Sequence, residues 1–255
     1  MAVSYQMKCL IWMFLTIYLM LLNTCLIMIN NTFLIFRSIS FWLNLVVSVL
    51  LFGPIAFIAG ILSYSTCLKI SKLWCRYNLY FLKLVCSLSY TYDGPRVDSF
   101  QLIISRHQSA WETIFLAAYA EKPIFILKKE LLRIPLFGWC LLLLKNIAID
   151  RSDGVTALKK IMNTCNDHIS NKRTLIIFPE GTRVPYGQTG TIKKGIFKII
   201  ESLKITSLVL NHDAGKYWSR DSFLIQPGSI NIKAFSLDYT EEADALNTAI
   251  REHFN

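Results

Sequence analysis

Two long apolar runs without a single charge open this chain and limit what it can fold into. Cys9–Phe36 spans 28 uncharged residues and Ser38–Leu68 spans 31, so residues 1–68 hold only Lys8 and Arg37. About 20 apolar residues cross the hydrocarbon core of a bilayer as a helix, so each run is long enough to cross once. Asn23, Asn30 and Asn31 shorten the first run to about Cys9–Ile29. In the second, Phe41–Leu62 is the best window, with Pro54 as a kink position. The first run is too long for a signal-peptide core and lacks a clear small-residue cleavage site. Met28 opens Met-Ile-Asn-Asn-Thr-Phe, and a chain starting there keeps only the second run.

The rest of the chain differs in kind. Of 44 charged residues, 42 fall in residues 69–255. The whole is 53% hydrophobic and 17% charged, against about 25% charged in an ordinary soluble domain. That excludes disorder, since so apolar a chain collapses or inserts. A freely soluble protein is excluded too. Lys69, Lys72, Arg76 and Lys83 follow the second run with no acid before Asp93, which makes their side cytoplasmic by the positive-inside rule. Lys69, Lys72 and Arg76 share a helical face, while Leu68, Trp74 and Tyr77 are placed to dip into a lipid interface. The expected division is a hydrophobic membrane-attachment segment of one or two helices (1–68), a basic interfacial helix with an entry strand (69–92) and a globular domain (93–255). Seven scattered cysteines with no C-x-x-C pair give neither a disulfide framework nor a zinc site.

After the basic helix the hydrophobic period changes. Short β-branched runs at Gln101–Ser105, Pro123–Leu127, Asn146–Ile149, Thr174–Phe178, Ile205–Leu210 and Ile230–Phe235 read as strands. Helical stretches lie between and after them, at Ala110–Ala120, Pro135–Leu144, Gly154–Ser170, Ile192–Leu203 and Glu241–His253. This alternation predicts an α/β fold, a mixed and largely parallel sheet flanked by helices, preceded by the hydrophobic helical segment. Chemistry in such sheets sits beyond the carboxyl ends of the strands.

Two constellations occupy such ends. Arg106-His107-Gln108-Ser109-Ala110-Trp111-Glu112 joins the first of these strands to a helix. Glu112, five residues after His107, can fold back on the imidazole, fix its tautomer and stabilise its protonated form, as a general base requires. Ser109-x-x-Glu112 equally fits a helix capping box. The second is Phe178-Pro179-Glu180-Gly181-Thr182-Arg183, directly after an apolar strand. Gly181 permits close backbone approach and Arg183 a bidentate grip on phosphate, with Lys193 and Lys194 downstream. The same residues also fit a plain β-turn with exposed charges. Neither a G-x-S-x-G elbow, a Walker loop nor G-x-G-x-x-G occurs. Nucleic acid is not indicated, because six of the ten net positive charges precede Asp93 and the remainder carries 21 basic and 17 acidic residues.

His107-x4-Glu112 with Phe178-Pro-Glu-Gly-Thr-Arg183, each after a strand, resembles the glycerolipid acyltransferases. Among these the chain is most similar to bacterial 1-acyl-sn-glycerol-3-phosphate acyltransferases. The likeness runs from about Phe33 onward and includes Lys128-Lys-Glu-Leu131, Ile134-Pro-Leu-Phe-Gly-Trp139, Ile147-Ala-Ile-Asp-Arg151, His212-Asp-Ala-Gly215 and Gln226-Pro-Gly-Ser-Ile230. It implies that His107 is the base and Glu112 its orienting carboxylate, where most of the family has Asp. It further implies that Arg151, Glu180, Gly181, Thr182 and Arg183 bind the substrate phosphate, with Lys128 near the acceptor. Leu208-Val209-Leu210-Asn211 stands where the family usually has a proline, on the acyl-donor side. The implied reaction moves an acyl group from acyl-CoA or acyl-acyl carrier protein to the sn-2 hydroxyl of lysophosphatidate, giving phosphatidic acid. The implied setting is a bacterial inner (cytoplasmic) membrane with the domain on the cytoplasmic side, with no metal or resident cofactor. Other readings are transfer to another lyso-lipid, or a lipid-binding protein without catalysis.

Overall fold

The computed structural model describes residues 2–150, 154–188, 190–239 and 243–254. The charge-poor N-terminus forms one helix, α1 (Ala2–Leu62), which continues through both Arg37 and Pro54. Its 61 residues make a rod of roughly 90 Å at 1.5 Å per residue. Ser63 ends it in an extended conformation and turns the chain back into α2 (Tyr64–Val85), accepting the Thr66 amide on its Oγ at 3.4 Å. The two helices pack antiparallel. Asn44 Nδ2 donates to Asn78 Oδ1 at 3.2 Å, the Tyr77 hydroxyl to Asn44 Oδ1 at 2.5 Å, and Trp74 Nε1 to Ser48 Oγ at 2.9 Å.

The remainder is β1 (Leu88–Asp93), β2 (Leu102–Ser105), α3 (Trp111–Tyr119), β3 (Pro123–Lys128), α4 (Phe137–Leu143), β4 (Ile147–Ile149), α5 (Gly154–Ser170), β5 (Thr174–Ile177), α6 (Lys194–Leu203), β6 (Ser207–His212), α7 (Ala214–Tyr217), β7 (Gly228–Leu237) and α8 (Ala243–Phe254). The seven strands form one sheet in the order β1-β7-β6-β2-β5-β3-β4. Every pairing is parallel except β6–β7, so the sheet is mixed and largely parallel.

Both faces of the sheet are covered, as parallel strands require, and β2 and β5 are buried at every position. Successive side chains point to opposite faces. Ile103 and Ile176 therefore pack with Phe41, Leu79, Leu82, Trp111 and Phe115 from α1, α2 and α3. Their strand neighbours Leu102, Ile104, Leu175 and Ile177 pack with Ile161, Phe197, Ile200 and Ile250 from α5, α6 and α8. The end of α1 and α2 thus share one core with the sheet.

Strand β6 differs from the sequence reading at both ends. Lys204 takes a left-handed conformation (φ 49°) that ends α6, so β6 begins at Ser207 rather than Ile205. It then runs on to His212 because Asn211 and His212 pair with Lys233 and Ile232 of β7.

Of the basic face of α2, Lys72 turns inward while Lys69 and Arg76 stay exposed. Lys72 Nζ donates to the carbonyls of Ala120 (2.7 Å) and Glu121 (3.2 Å), just beyond α3, and Arg76 lies 5.8 Å from the Tyr119 ring. These cations satisfy a helix C-terminus, where positive charge is favoured. Trp74 and Tyr77 hydrogen-bond to α1, Tyr77 remaining exposed, and Leu68 is buried.

Candidate active site

Neighbouring parallel strands release their loops along one edge, and that edge gathers the site. β6, β2 and β5 are consecutive and parallel in the sheet. Their carboxyl ends are Ser105, Ile177 and His212, so the loops carrying His107, Glu180–Arg183 and His212–Gly215 emerge side by side. β3, parallel to β5, brings exposed Lys128 to the same edge. Arg151, two residues past β4, lies outside the described residues.

His107 Nδ1 is 2.8 Å from Glu112 Oε1, and the two side chains are 12% and 1% exposed. Glu112 also accepts the Gln108 amide at 3.0 Å and the Ser109 amide at 3.0 Å on each oxygen. One carboxylate therefore holds both the imidazole and the amides of the turn that leads into α3, whose N-cap, Ala110, has no side-chain cap. Burial alone raises a carboxyl. Here the His107 bond, the nearby His212 and the Ser109 amide outweigh it and hold Glu112 below the ordinary carboxylate range. An ionised Glu112 only accepts, so Nδ1 carries the proton and Nε2 keeps its lone pair. Phe178 stacks on the imidazole at 4.1 Å and 19°, which fixes the ring plane.

The Phe178–Arg183 segment is tied to the same histidine. The His107 amide donates to Glu180 Oε1 at 3.3 Å, and the Val184 amide to the His107 carbonyl at 2.7 Å. Gly181 has φ +66°, a left-handed conformation that suits glycine, and its amide closes a turn onto the Phe178 carbonyl at 3.0 Å. Glu180 faces inward, 4% exposed, against Gly190, where a Cβ would meet Glu180 Cγ at 2.6 Å. Burial pushes its carboxyl up to about 7. Thr182 is exposed and Arg183 is half-buried.

Three further side chains shape this edge. His212 is fully enclosed. It lies with Nε2 3.0 Å from the Arg106 carbonyl and accepts the Ala214 amide on Nδ1 at 3.3 Å, and burial lowers its pKa. It thus braces the residue before His107 as a neutral ring. The Gln108 side-chain carbonyl accepts the Gly215 amide at 3.1 Å. Arg220 Nη1 donates to Thr182 Oγ1 at 3.3 Å. No spacing signal pointed to Arg220, which returns to the Gly181–Arg183 turn from beyond α7. Among the described residues no group of three or more His, Cys, Asp or Glu side chains is placed to hold a metal ion.

The chain is similar to known proteins. The Acyltransferase family matches residues 95–211, which contain both motifs. A 1-acyl-sn-glycerol-3-phosphate acyltransferase of Pseudomonas aeruginosa is 36% identical over 200 residues, covering 77% of this chain and 78% of that one. One from Helicobacter pylori is 38% identical over 138 residues, 49% of this chain and 57% of its own. The crystal structure of the 1-acyl-sn-glycerophosphate acyltransferase of Thermotoga maritima superposes with a TM-score of 0.69 over 86% of this chain and 93% of that one. At 19% identity that is a likeness of fold. Sequence identity on this scale, over most of both chains of the Pseudomonas pair, places this chain in the 1-acyl-sn-glycerol-3-phosphate acyltransferase family.

Proposed function

We propose that this chain esterifies the sn-2 hydroxyl of 1-acyl-sn-glycerol 3-phosphate with an acyl group from an acyl thioester, forming phosphatidic acid. The observation that carries this is the His107–Glu112 pair, 2.8 Å apart at a strand end, beside a cationic turn. His107 Nε2 takes the proton as the hydroxyl oxygen attacks the thioester carbonyl. The C–S bond of the tetrahedral adduct then breaks, and the thiolate leaves with the proton returned by the imidazolium. Glu112 stabilises that imidazolium and keeps the ring in place. Arg183, aided by Lys128 and Arg151, holds the phosphate, which turns binding energy into orientation of the hydroxyl. Glu180 and Gly181 shape the turn that presents Arg183. A thiolate is a good enough leaving group that the step asks for no metal and no resident cofactor.

The donor is acyl-CoA or acyl-acyl carrier protein, and the setting is the cytoplasmic face of a bacterial inner membrane. The support is the apolar surface of α1, one helix long and apolar enough to cross a membrane at Met28–Leu62, and the bacterial relatives.

The test is acyl transfer from both donors to lysophosphatidate, using membranes that carry wild type or His107→Ala. We expect product with wild type and a loss of about 10³-fold or more with His107→Ala, on the scale of losing a general base. Full activity of that variant, or thioester cleavage with no dependence on acceptor, overturns the mechanism.

A further inference from the structure

A second guanidinium stands beside the Gly181–Arg183 turn. Arg220 is 51% exposed and reaches Thr182 Oγ1 at 3.3 Å. Its acidic neighbour Asp221 is 85% exposed and 3.6 Å from Nε, beyond hydrogen-bond range. A guanidinium offers five N–H donors in a planar fork, and here one of them meets a neutral hydroxyl. Lys193 closes on the same turn, its Cγ 3.5 Å and Cε 3.7 Å from where a Gly181 Cβ would stand. Among the described residues, the Asp221 contact is the one ion pair made by Arg183, Lys193 or Arg220. The acid within the turn, Glu180, is buried and faces away. Three cations around three residues of backbone repel one another unless an anion joins them.

The placement of Arg220 is fixed independently. Trp42 Nε1 donates to the Phe223 carbonyl at 2.9 Å, and the two rings stack at 5.9 Å and 16°. Trp42 also meets Trp218 edge-on at 5.7 Å, and the Ile225 amide donates to Ser38 Oγ at 3.0 Å. The loop bearing Arg220 is therefore pinned on both sides to α1, while Arg220 itself turns to the phosphate loop. It spans the gap between an apolar helix and a cationic turn. An amphiphile with an acyl chain and a terminal phosphate has the same two ends.

We infer that Arg220 is a substrate-binding residue, a second guanidinium on the acceptor's phosphate monoester that selects acceptors bearing one. The inference rests on reading the Gly181–Arg183 turn as the acceptor phosphate site.

Steady-state kinetics of the full chain test it, with the acceptor and then the donor varied, for wild type, Arg220→Ala, Arg220→Lys and Arg183→Ala. Arg220→Ala should raise the lysophosphatidate KM about 10- to 100-fold, with kcat within about threefold and donor KM unchanged, as loss of one charge-assisted contact predicts. Arg220→Lys should recover part of this, keeping the charge but not the fork. With 1-acylglycerol, which has no phosphate, Arg220→Ala and wild type should react at the same rate. Because the side chain is half exposed, the unfolding midpoint should match wild type. An acceptor KM within about twofold of wild type overturns the assignment. So does a rise confined to donor KM, which would give Arg220 to the phosphates of the thioester. A fall in kcat together with the unfolding midpoint would make the residue structural and overturn it as well. If Arg183→Ala leaves acceptor KM unchanged, the phosphate reading of the turn falls with it. If Arg183→Ala raises KM and Arg220→Ala does not, the role of Arg220 alone falls.

Discussion

Glu112 and Glu180 both contact His107, and their surroundings drive them apart. Glu112 is met by an imidazole and two backbone amides, and it is held ionised. Glu180 accepts one amide at 3.3 Å, leaves Oε2 without a partner, and rises to about 7 from an ordinary 4.5. A carboxyl raised to about 7 carries about half its charge at neutral pH, so it repels an anion near this turn less than an ordinary glutamate does. The sign of its effect on stability follows. With the folded value above the unfolded one, its contribution is full below about pH 4.5 and is lost as pH rises through about 7. Glu180→Gln keeps the acceptor oxygen for the His107 amide but cannot ionise. We expect it to be more stable than wild type at pH 8, by up to roughly 3 kcal/mol, and equal to it near pH 4.5, because each tenfold change in proton affinity is worth about 1.4 kcal/mol. Urea unfolding at the two pH values reads this, and a Gln variant weaker than wild type at pH 8 refutes it. His107 and Glu112 were legible in sequence because a five-residue step across a strand–helix junction constrains geometry. The inward turn of Glu180 was not, since the strand-end motif fixes the backbone and not which side chain the core encloses.

The elements were legible where their periodicity answers to a single neighbour. β3 starts at Pro123, α5 spans Gly154–Ser170 and β5 starts at Thr174, as the apolar spacing implies. Misreadings came where one element serves another. On α2, Lys72 belongs to a basic stripe in sequence, yet it is tied to the carbonyl at the C-terminal end of α3. Trp74 and Tyr77 similarly answer polar atoms of α1. The α1–α2 hairpin carries its own specificity device in the Asn44–Asn78 pair, 3.2 Å apart with Asn78 fully buried. Asn78 Nδ2 also donates to the Trp74 carbonyl at 2.9 Å. One buried amide pair in an apolar interface disfavours slipped registers, because a slip leaves both unpaired. Asn78→Leu should therefore destabilise the protein by about 1–3 kcal/mol, since Asn44 loses its acceptor. Adding Asn44→Leu should return part of that loss, a coupling that a double-mutant cycle in denaturant detects. Strict additivity of the two substitutions would show that the pair does not act as a unit.

At the scale of the whole molecule, the two charge-free runs do different things although they belong to one helix. Past Ser38, α1 lies along the domain. Ser38 holds Ile225 and Trp42 holds Phe223 at one end, while Phe57 packs on Trp139 at 5.5 Å and a Cβ on Gly60 would stand 2.7 Å from Leu143 at the other. A stretch fixed to the domain along its length keeps one side free for other contacts. That side is apolar: Leu43, Val47, Leu50, Leu51, Ile55 and Ile58 are each at least 52% exposed, adjoining exposed Trp139 and Phe223. Surface of this kind exceeds what a soluble monomer usually shows and fits attachment to a membrane. Hydropathy saw the length of the runs but not that the second is pinned, because pinning comes from residues such as Phe223 far along the chain. The described contacts of α1 with the domain all fall at or beyond Arg37, whose carbonyl accepts the Cys86 thiol. A chain begun at Met28 should accordingly fold, retain transfer activity, and still co-sediment with anionic phospholipid vesicles. In that shortened chain, Val47→Glu with Leu51→Glu should leave the fold intact while weakening vesicle binding by about 10²-fold or more, since each side chain contributes roughly 1.5–3 kcal/mol of apolar burial. Undiminished co-sedimentation of the double variant would place membrane attachment elsewhere on the molecule.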